Sequence, residues 1–267
     1  MIGRGRSCNI DVLDLRWETI ICYLHHKQYS ITPVCIIFTF QLIEDLTMLE
    51  EKTNDLKRDL VEFATLVEHM IDKSIRGLLE KKREPLVAVI KEDEPKANAL
   101  EIEIDELCTT FIAQFEPKAK DLRIILMGAK MCNDLERMGD HAVNIAESSL
   151  FVIERPLVKP LIDIPRMAEI VIKMVRDSTN AFINEDVELA RNVCERDNMV
   201  DDLKDQIIRE LITYMTSETA TIERSLHLLR IAGNLERIAD LSTNICEDVI
   251  FMTKGKVIKH HALNSED

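Results

Sequence analysis

The segment from Leu135 to Glu147 reads LERMGDHAVNIAE, and one hundred residues later Leu235 to Glu247 reads LERIADLSTNICE. Leu, Glu, Arg, Asp, Asn, Ile and Glu return in register. A period this long exceeds that of solenoid repeats, so each copy belongs to a bundle-sized unit rather than to one turn of a stack. Whatever the chain folds into is built twice, with the same charges held in place both times.

Both copies carry helical periodicity. At about 100° per residue, with Glu136 at zero, Asp140 lies at about 40°, Asn144 at about 80° and Glu147 at about 20°, one narrow stripe. Met127, Met131, Leu135, Met138, Ala142 and Ile145 fall between about 180° and 260° and define the core face. In the second copy Glu236, Asp240, Asn244 and Glu247 repeat the stripe, and Ile231, Leu235, Ile238, Ile245 and Val249 repeat the apolar face. The acidic stripes therefore point away from the core.

Solvated helix faces usually alternate acids and bases at four-residue spacing. Here Glu136/Asp140 and Glu236/Asp240 carry one sign, which costs an isolated helix roughly 0.2–0.5 kcal/mol per pair. Two carboxylates one turn apart, followed by an amide oxygen, present hard oxygen ligands to a cation; a plain solvated acidic face is the other reading of the same spacing. Arg137 and Arg237 lie beside the stripes, placed either to clamp the carboxylates or to pair with a neighbouring helix. Gly139 and Ala239 sit between stripe and apolar face. Glycine in mid-helix costs about 1 kcal/mol relative to alanine, so a close helix approach is expected there. Fainter echoes place Glu94 four residues before Asn98, with Glu101 and Asp105 on the same stripe, and Asp197 four before Asp201. If these segments pack beside the motif helices, acidic pairs face each other across a groove in each repeat.

Prolines and small polar clusters punctuate six helical runs, predicted over 46–82, 86–114, 117–152, 165–184, 197–215 and 218–253. Pro95 is expected to separate a short lead-in from the second helix, and a short piece to follow Glu185. The hydroxyls of TSET (Thr216 to Thr219) are expected to cap the sixth helix. No alternating strand pattern occurs, so the fold class is all-α. Three helices precede the cluster Pro156, Pro160 and Pro165 and three follow it, giving two tandem three-helix bundles, 47–155 and 156–255, each with its own core, and a polar tail, 256–267. Residues 1–46 have a different composition, with the only tryptophan (Trp17) and no sustained helical period. They read as an accessory tail or as upstream sequence translated from an early start codon.

A net charge of −14 argues against a general nucleic-acid binder, which needs a basic face to neutralise phosphates, and against simple adhesion to anionic lipid; an acidic surface meets such partners only through cations or local basic patches. The seven cysteines form no CxxC pair or zinc-finger spacing; Cys108, Cys132, Cys194 and Cys246 read as buried, reduced thiols. No apolar run reaches the roughly 18 residues of a membrane span. There is no phosphate-binding GxxxxGK[ST] loop and no nucleophile elbow. Glu-x-x-His spacing is absent near the stripes, which argues against a carboxylate-bridged di-metal oxidase. His69, His141 and His227 are scattered on helices, and only His141, next to Asp140, is placed to assist a metal.

DLERMGDHAVNIAE and NLERIADLSTNICED, on duplicated three-helix units, resemble the PhoU family of phosphate-uptake regulators, over about residues 48 to 255. The resemblance implies a cytoplasmic, non-catalytic negative regulator of the phosphate-starvation response. It implies a link between the ATPase subunit of a phosphate ABC transporter and a sensor histidine kinase, with the membrane reached only through these partners and a homodimer left open. It also implies E(D)xxxD motifs binding transition-metal ions, singly or in clusters, with iron, zinc and manganese as candidates. By position the ligands become Glu136, Asp140 and Glu94 in the first repeat and Glu236, Asp240, Asp197 and Asp201 in the second. Asn98, Arg137, Asn144, Glu147, Arg237, Asn244 and Glu247 support them. Asn98 stands where a carboxylate is common and Pro95 follows Glu94, so the first cluster departs further from the pattern. A metal-free scaffold, whose stripes meet basic partner surfaces, is the alternative.

Overall fold

The computed structural model describes the backbone of residues 33–118 and 120–254, and side chains from 47 to 253 except 119. Residues 1–32 and the tail from 255 lie outside it, and with them most of the expectation for the N-terminal segment. The chain divides into two units, Met1–Met48 and Leu49–Asp267, and the second holds both copies of the motif. Among the described residues every regular element is helical: α1 (Pro33–Glu80), α2 (Arg83–Ala88), a π-helical turn (Val89–Asp93), α3 (Glu94–Phe115), α4 (Lys120–Ile153), α5 (Asp163–Asn184), α6 (Val187–Ser217), a 3₁₀ turn (Thr219–Thr221) and α7 (Ile222–Lys254).

The six long helices fall three and three around the proline cluster, and the differences from expectation have local causes. α1 starts at Pro33 rather than near 46; proline is compatible with a first turn, and no glycine or second proline interrupts the next fourteen positions. The separate piece expected after Glu185 does not exist. Asp186 caps α6 directly, its carboxylate accepting from the amides of Glu188 and Leu189 at 3.0 Å, and the helix runs through to Ser217. The TSET hydroxyls do not cap α7. Thr216 and Ser217 instead donate to the carbonyls of Ile212 and Thr213, extending α6 to the turn.

Pro95 acts as expected, standing in the first turn of α3 with α2 as the short lead-in before it. It lacks the N–H that Lys91 would receive, and the chain widens into a π turn just before it, the amide of Glu94 bonding Val89. This turn buries Asp93, which accepts from Lys73 of α1 at 2.6 Å. α1, α3 and α5 end without glycine, on Lys81, Glu116 and Glu185 in the left-handed region. In two of these ends the next amide bonds back five residues, Lys82 to Gly77 and Asp186 to Ala181, which satisfies carbonyls the helix leaves open.

α4 and α7, the two motif helices, run antiparallel against each other, with α3 flanking α4 and with α5 and α6 flanking α7. Lys130 meets Asp248 at 2.5 Å and His141 Nδ1 meets Asn234 at 2.8 Å along this seam, and His227 stacks on Phe151 with ring centroids 3.9 Å apart. α1 lies along α4, where the Ser74 hydroxyl donates to Ala142 at 3.0 Å, and reaches the second repeat, where Lys57 Nζ donates to Ile183 at 3.0 Å. The repeats therefore do not have separate cores. One continuous apolar cluster runs from Leu56 to Met252.

Candidate functional site

The apolar faces predicted for the motif helices are the buried ones: Met131, Leu135, Met138, Ala142 and Ile145 in α4, and Ile231, Leu235, Ile238, Ile245 and Val249 in α7, are at most 1% exposed. Their burial turns the opposite faces outward. In α4 Glu136 is half-buried, and Asp140, Asn144 and Glu147 are exposed. In α7 Glu236, Asp240 and Glu247 are half-buried and Asn244 is exposed.

Each stripe faces the preceding helix of its own repeat. The close approach expected to require a small residue at Gly139 is not found: a Cβ there would stand 3.7 Å from Met70 of α1 and 3.8 Å from Ala97 of α3, ordinary contact distances. That register brings Glu101 of α3 to Glu136. Burial, then the charges of Asp140 and Glu101, push the Glu136 carboxyl above its usual range. Glu101 shares the Glu94 stripe in sequence, seven residues on, and it is the α3 carboxylate that acts on Glu136. Glu94, half-buried, opens α3 beside Pro95, and Asn98 is exposed.

In the second repeat the facing acid is Asp201, which is exposed. Burial first, then Glu236 and Asp201, raise Asp240 above the usual carboxylate range. Asp197 is 8% exposed in α6. Two cations also stand here. Lys204 of α6 donates to Glu236 at 2.8 Å, and Arg237 lies 3.7 Å from Glu236 and 3.4 Å from Asp240. Between α3 and α6 the repeat runs at one hundred and three residues, Glu94 matching Asp197 and Asn98 matching Asp201. The place of Lys204 is therefore held in the first repeat by Glu101, a carboxylate that adds to the charge on Glu136 where Lys204 offsets that on Glu236. Arg137, unlike Arg237, has Asp134 as its ion-pair partner, at 3.6 Å. His141 serves the seam between the repeats, through Asn234, and not the stripe.

Among the described residues no three His, Cys, Asp or Glu side chains are gathered to hold a metal ion. The first stripe supplies oxygen donors suited to a hard cation, Glu136 with the like charges of Asp140 and Glu101 acting on it, without gathering the three around one point. The second stripe fits less well, because Lys204 already neutralises Glu236.

A feature invisible in the repeat is the seam cluster of Asp134, Asp248, Lys130 and Arg137. Asp134 is 9% exposed, and burial pushes its carboxyl up to about 6. Its duplicate position holds Asn234, and that inequality between the copies is the one sequence signal that marks it.

Two helical repeats with a shared core, each carrying an outward carboxylate pair on its third helix, define a duplicated all-α bundle protein. Residues 60–149 and 164–249 each match the PhoU domain. The chain belongs to the PhoU family. It is 39% identical over 218 residues to the phosphate-specific transport system accessory protein PhoU homolog of Aquifex aeolicus, covering 82% of this chain and 98% of that one. The crystal structure of PhoU from Pseudomonas aeruginosa aligns with a TM-score of 0.74 at 31% identity, over 78% of this chain and 99% of that one. The phosphate transport system regulatory protein PhoU from Streptococcus pneumoniae aligns with the same TM-score at 26% identity, over 79% of this chain and all of that one.

Proposed function

We propose that this chain regulates phosphate uptake as a non-catalytic adaptor, coupling the ATPase subunit of a phosphate ABC transporter to a sensor histidine kinase at the cytoplasmic face of the membrane. The kinship with phosphate-specific transport accessory proteins over nearly the whole length of the Aquifex aeolicus relative is the main support. None of the described helices is long and apolar enough to cross a membrane.

The first stripe is the favoured metal site, with Glu136, Asp140 and Glu101 as ligands and Glu94 within the same helix as Glu101. A bound cation would offset the burial and the like charges that together raise Glu136, and would offer partners a positive centre on an acidic surface. A metal-free reading has a specific observation in its favour at the second stripe, where the Lys204 ammonium serves as an internal counter-ion for Glu236.

Elemental mass spectrometry after incubation with Fe²⁺, Mn²⁺ or Zn²⁺ tests this. Metal should be retained by the parent chain and reduced by Asp140→Asn. Lys204→Met should raise the metal held, because it frees Glu236. A parent chain that binds no metal, and that captures the transporter ATPase equally well with and without chelator, would leave the metal-free scaffold as the mechanism.

A further inference from the structure

The connection between α4 and α5 and the last turns of α6 line an open cavity of about 510 Å³, and none of its lining residues belongs to either carboxylate stripe. Gln206, Glu210 and Tyr214 stand four residues apart and share one face of α6. The rest of the wall comes from the connection, with Lys159, Pro160 and Ile162, and from Asp163 in the first turn of α5. Lys159 is 8% exposed; its ammonium lies 3.2 Å from Asp163 and also bonds Glu210. Gln206 donates to the same two carboxylates, at 3.4 Å to Asp163 and 3.2 Å to Glu210. Beside this polar floor Tyr214 is exposed, and Ile162 is 70% exposed. The fold does not demand such a face. At the α3–α6 offset, Glu210 and Tyr214 correspond to Leu107 and Phe111, which pack into or against the core.

We infer that this cavity is a docking site for an arginine side chain of a basic partner protein, with the guanidinium on Glu210 and the stem on Ile162 and Tyr214. The balance of donors and acceptors selects the ligand. Lys159 and Gln206 have turned N–H groups to Asp163 and Glu210, whereas two carboxylates can accept about eight hydrogen bonds between them. The unspent capacity is acceptor, so an incoming group must donate. One ammonium against two carboxylates also leaves one negative charge in the wall, and Glu210, with its side chain 39% exposed, is the carboxylate within reach. A bare divalent ion would meet the Lys159 ammonium already bonded to both acids. A guanidinium on a flexible stem can approach Glu210 from outside, match its edge with two parallel N–H groups and stack on the Tyr214 ring. Its methylenes cover apolar surface, and residues flanking the arginine in a polypeptide would cover Ile162, which a free amino acid leaves in water. The net charge of −14 steers basic partners toward the chain.

Titrating the isotope-labelled full chain with a capped leucine–arginine–leucine tripeptide tests this by NMR. Saturable shifts are expected at the backbone amides of Ile162, Asp163 and Tyr214. The same peptide with citrulline, which keeps the shape and loses the charge, should bind about tenfold more weakly. Glu210→Gln should weaken the arginine peptide by about tenfold. Tyr214→Ala, at an exposed position that leaves the Lys159 network in place, should weaken it several-fold. Metal retention should be the same in both variants as in the parent, so failure of this inference and failure of the metal site are separate results. The proposal is overturned if no saturable shift occurs, if the shifts centre on Asp140 or Asp240, or if the citrulline peptide binds equally well. It is equally overturned if free arginine amide binds as tightly as the tripeptide, which would make the cavity a small-molecule site. Shifts of the same amides on dilution of the chain alone would also overturn it, by making this face a contact between copies.

Discussion

Asp134, a side chain the repeat does not share, bears on stability through its ionisation. Its carboxyl is raised from an ordinary value of 3.8 to about 6, first by burial and then by Asp248, against the opposing pull of Arg137 and Lys130. A carboxyl raised in the folded state holds its proton more tightly there than in the unfolded chain. Between about pH 4 and 6 the folded state therefore binds more protons, and stability falls as pH rises through that window. Asp134→Asn, which installs the residue the second copy already has, removes this cost. It should stabilise the chain at pH 7.5 by on the order of 2 kcal/mol, and urea melts at pH 4 should show the gain largely gone. An equal gain at both pH values would mean that the effect is packing and not ionisation.

Two glycines in helices illustrate how close approach acts on an element. Gly139 has room for a methyl group, with nearest neighbours at 3.7 and 3.8 Å, ordinary contact distances. Alanine there also matches Ala239 in the other copy, so Gly139→Ala should stabilise α4 by up to about 1 kcal/mol through helix propensity. Gly77 is the opposite case. A Cβ there would stand 2.5 and 2.6 Å from Leu86, the fully buried side chain that packs α2 onto the end of α1. Gly77→Ala should lower the melting temperature despite alanine's better propensity, because Leu86 must leave its position in the core. Parallel thermal melts of the two variants, with shifts of opposite sign, check the pair.

At the scale of the molecule, the seam between α4 and α7 makes two repeats into one folding unit. The apolar faces of both motif helices feed a single cluster, and α1 bonds to α4 and to the end of α5. Separate repeats would each expose the seam face. Unfolding should accordingly be one cooperative transition, with calorimetric and van't Hoff enthalpies in agreement. Two resolved transitions, each assignable to one repeat, would contradict the shared core.

The sequence by itself determined the all-α class, the duplication, and which face of each motif helix is wet. These are local properties: a 3.6-residue period and a run of apolar positions suffice to orient Leu135, Met138 and Ile145 inward and Glu136 and Asp140 outward. Proline and glycine also placed most helix ends, and the misses, at α1 and α6, fell where an end depends on a cap or on the lack of a breaker. What only the tertiary structure decided is which groups from different helices meet. That Glu101 acts on Glu136, that Lys204 occupies the second stripe and that His141 belongs to the seam all depend on the axial register between packed helices. Periodicity along one helix carries no information about that register, because it is set by how side chains such as Met70, Ala97 and Leu86 interlock across the core.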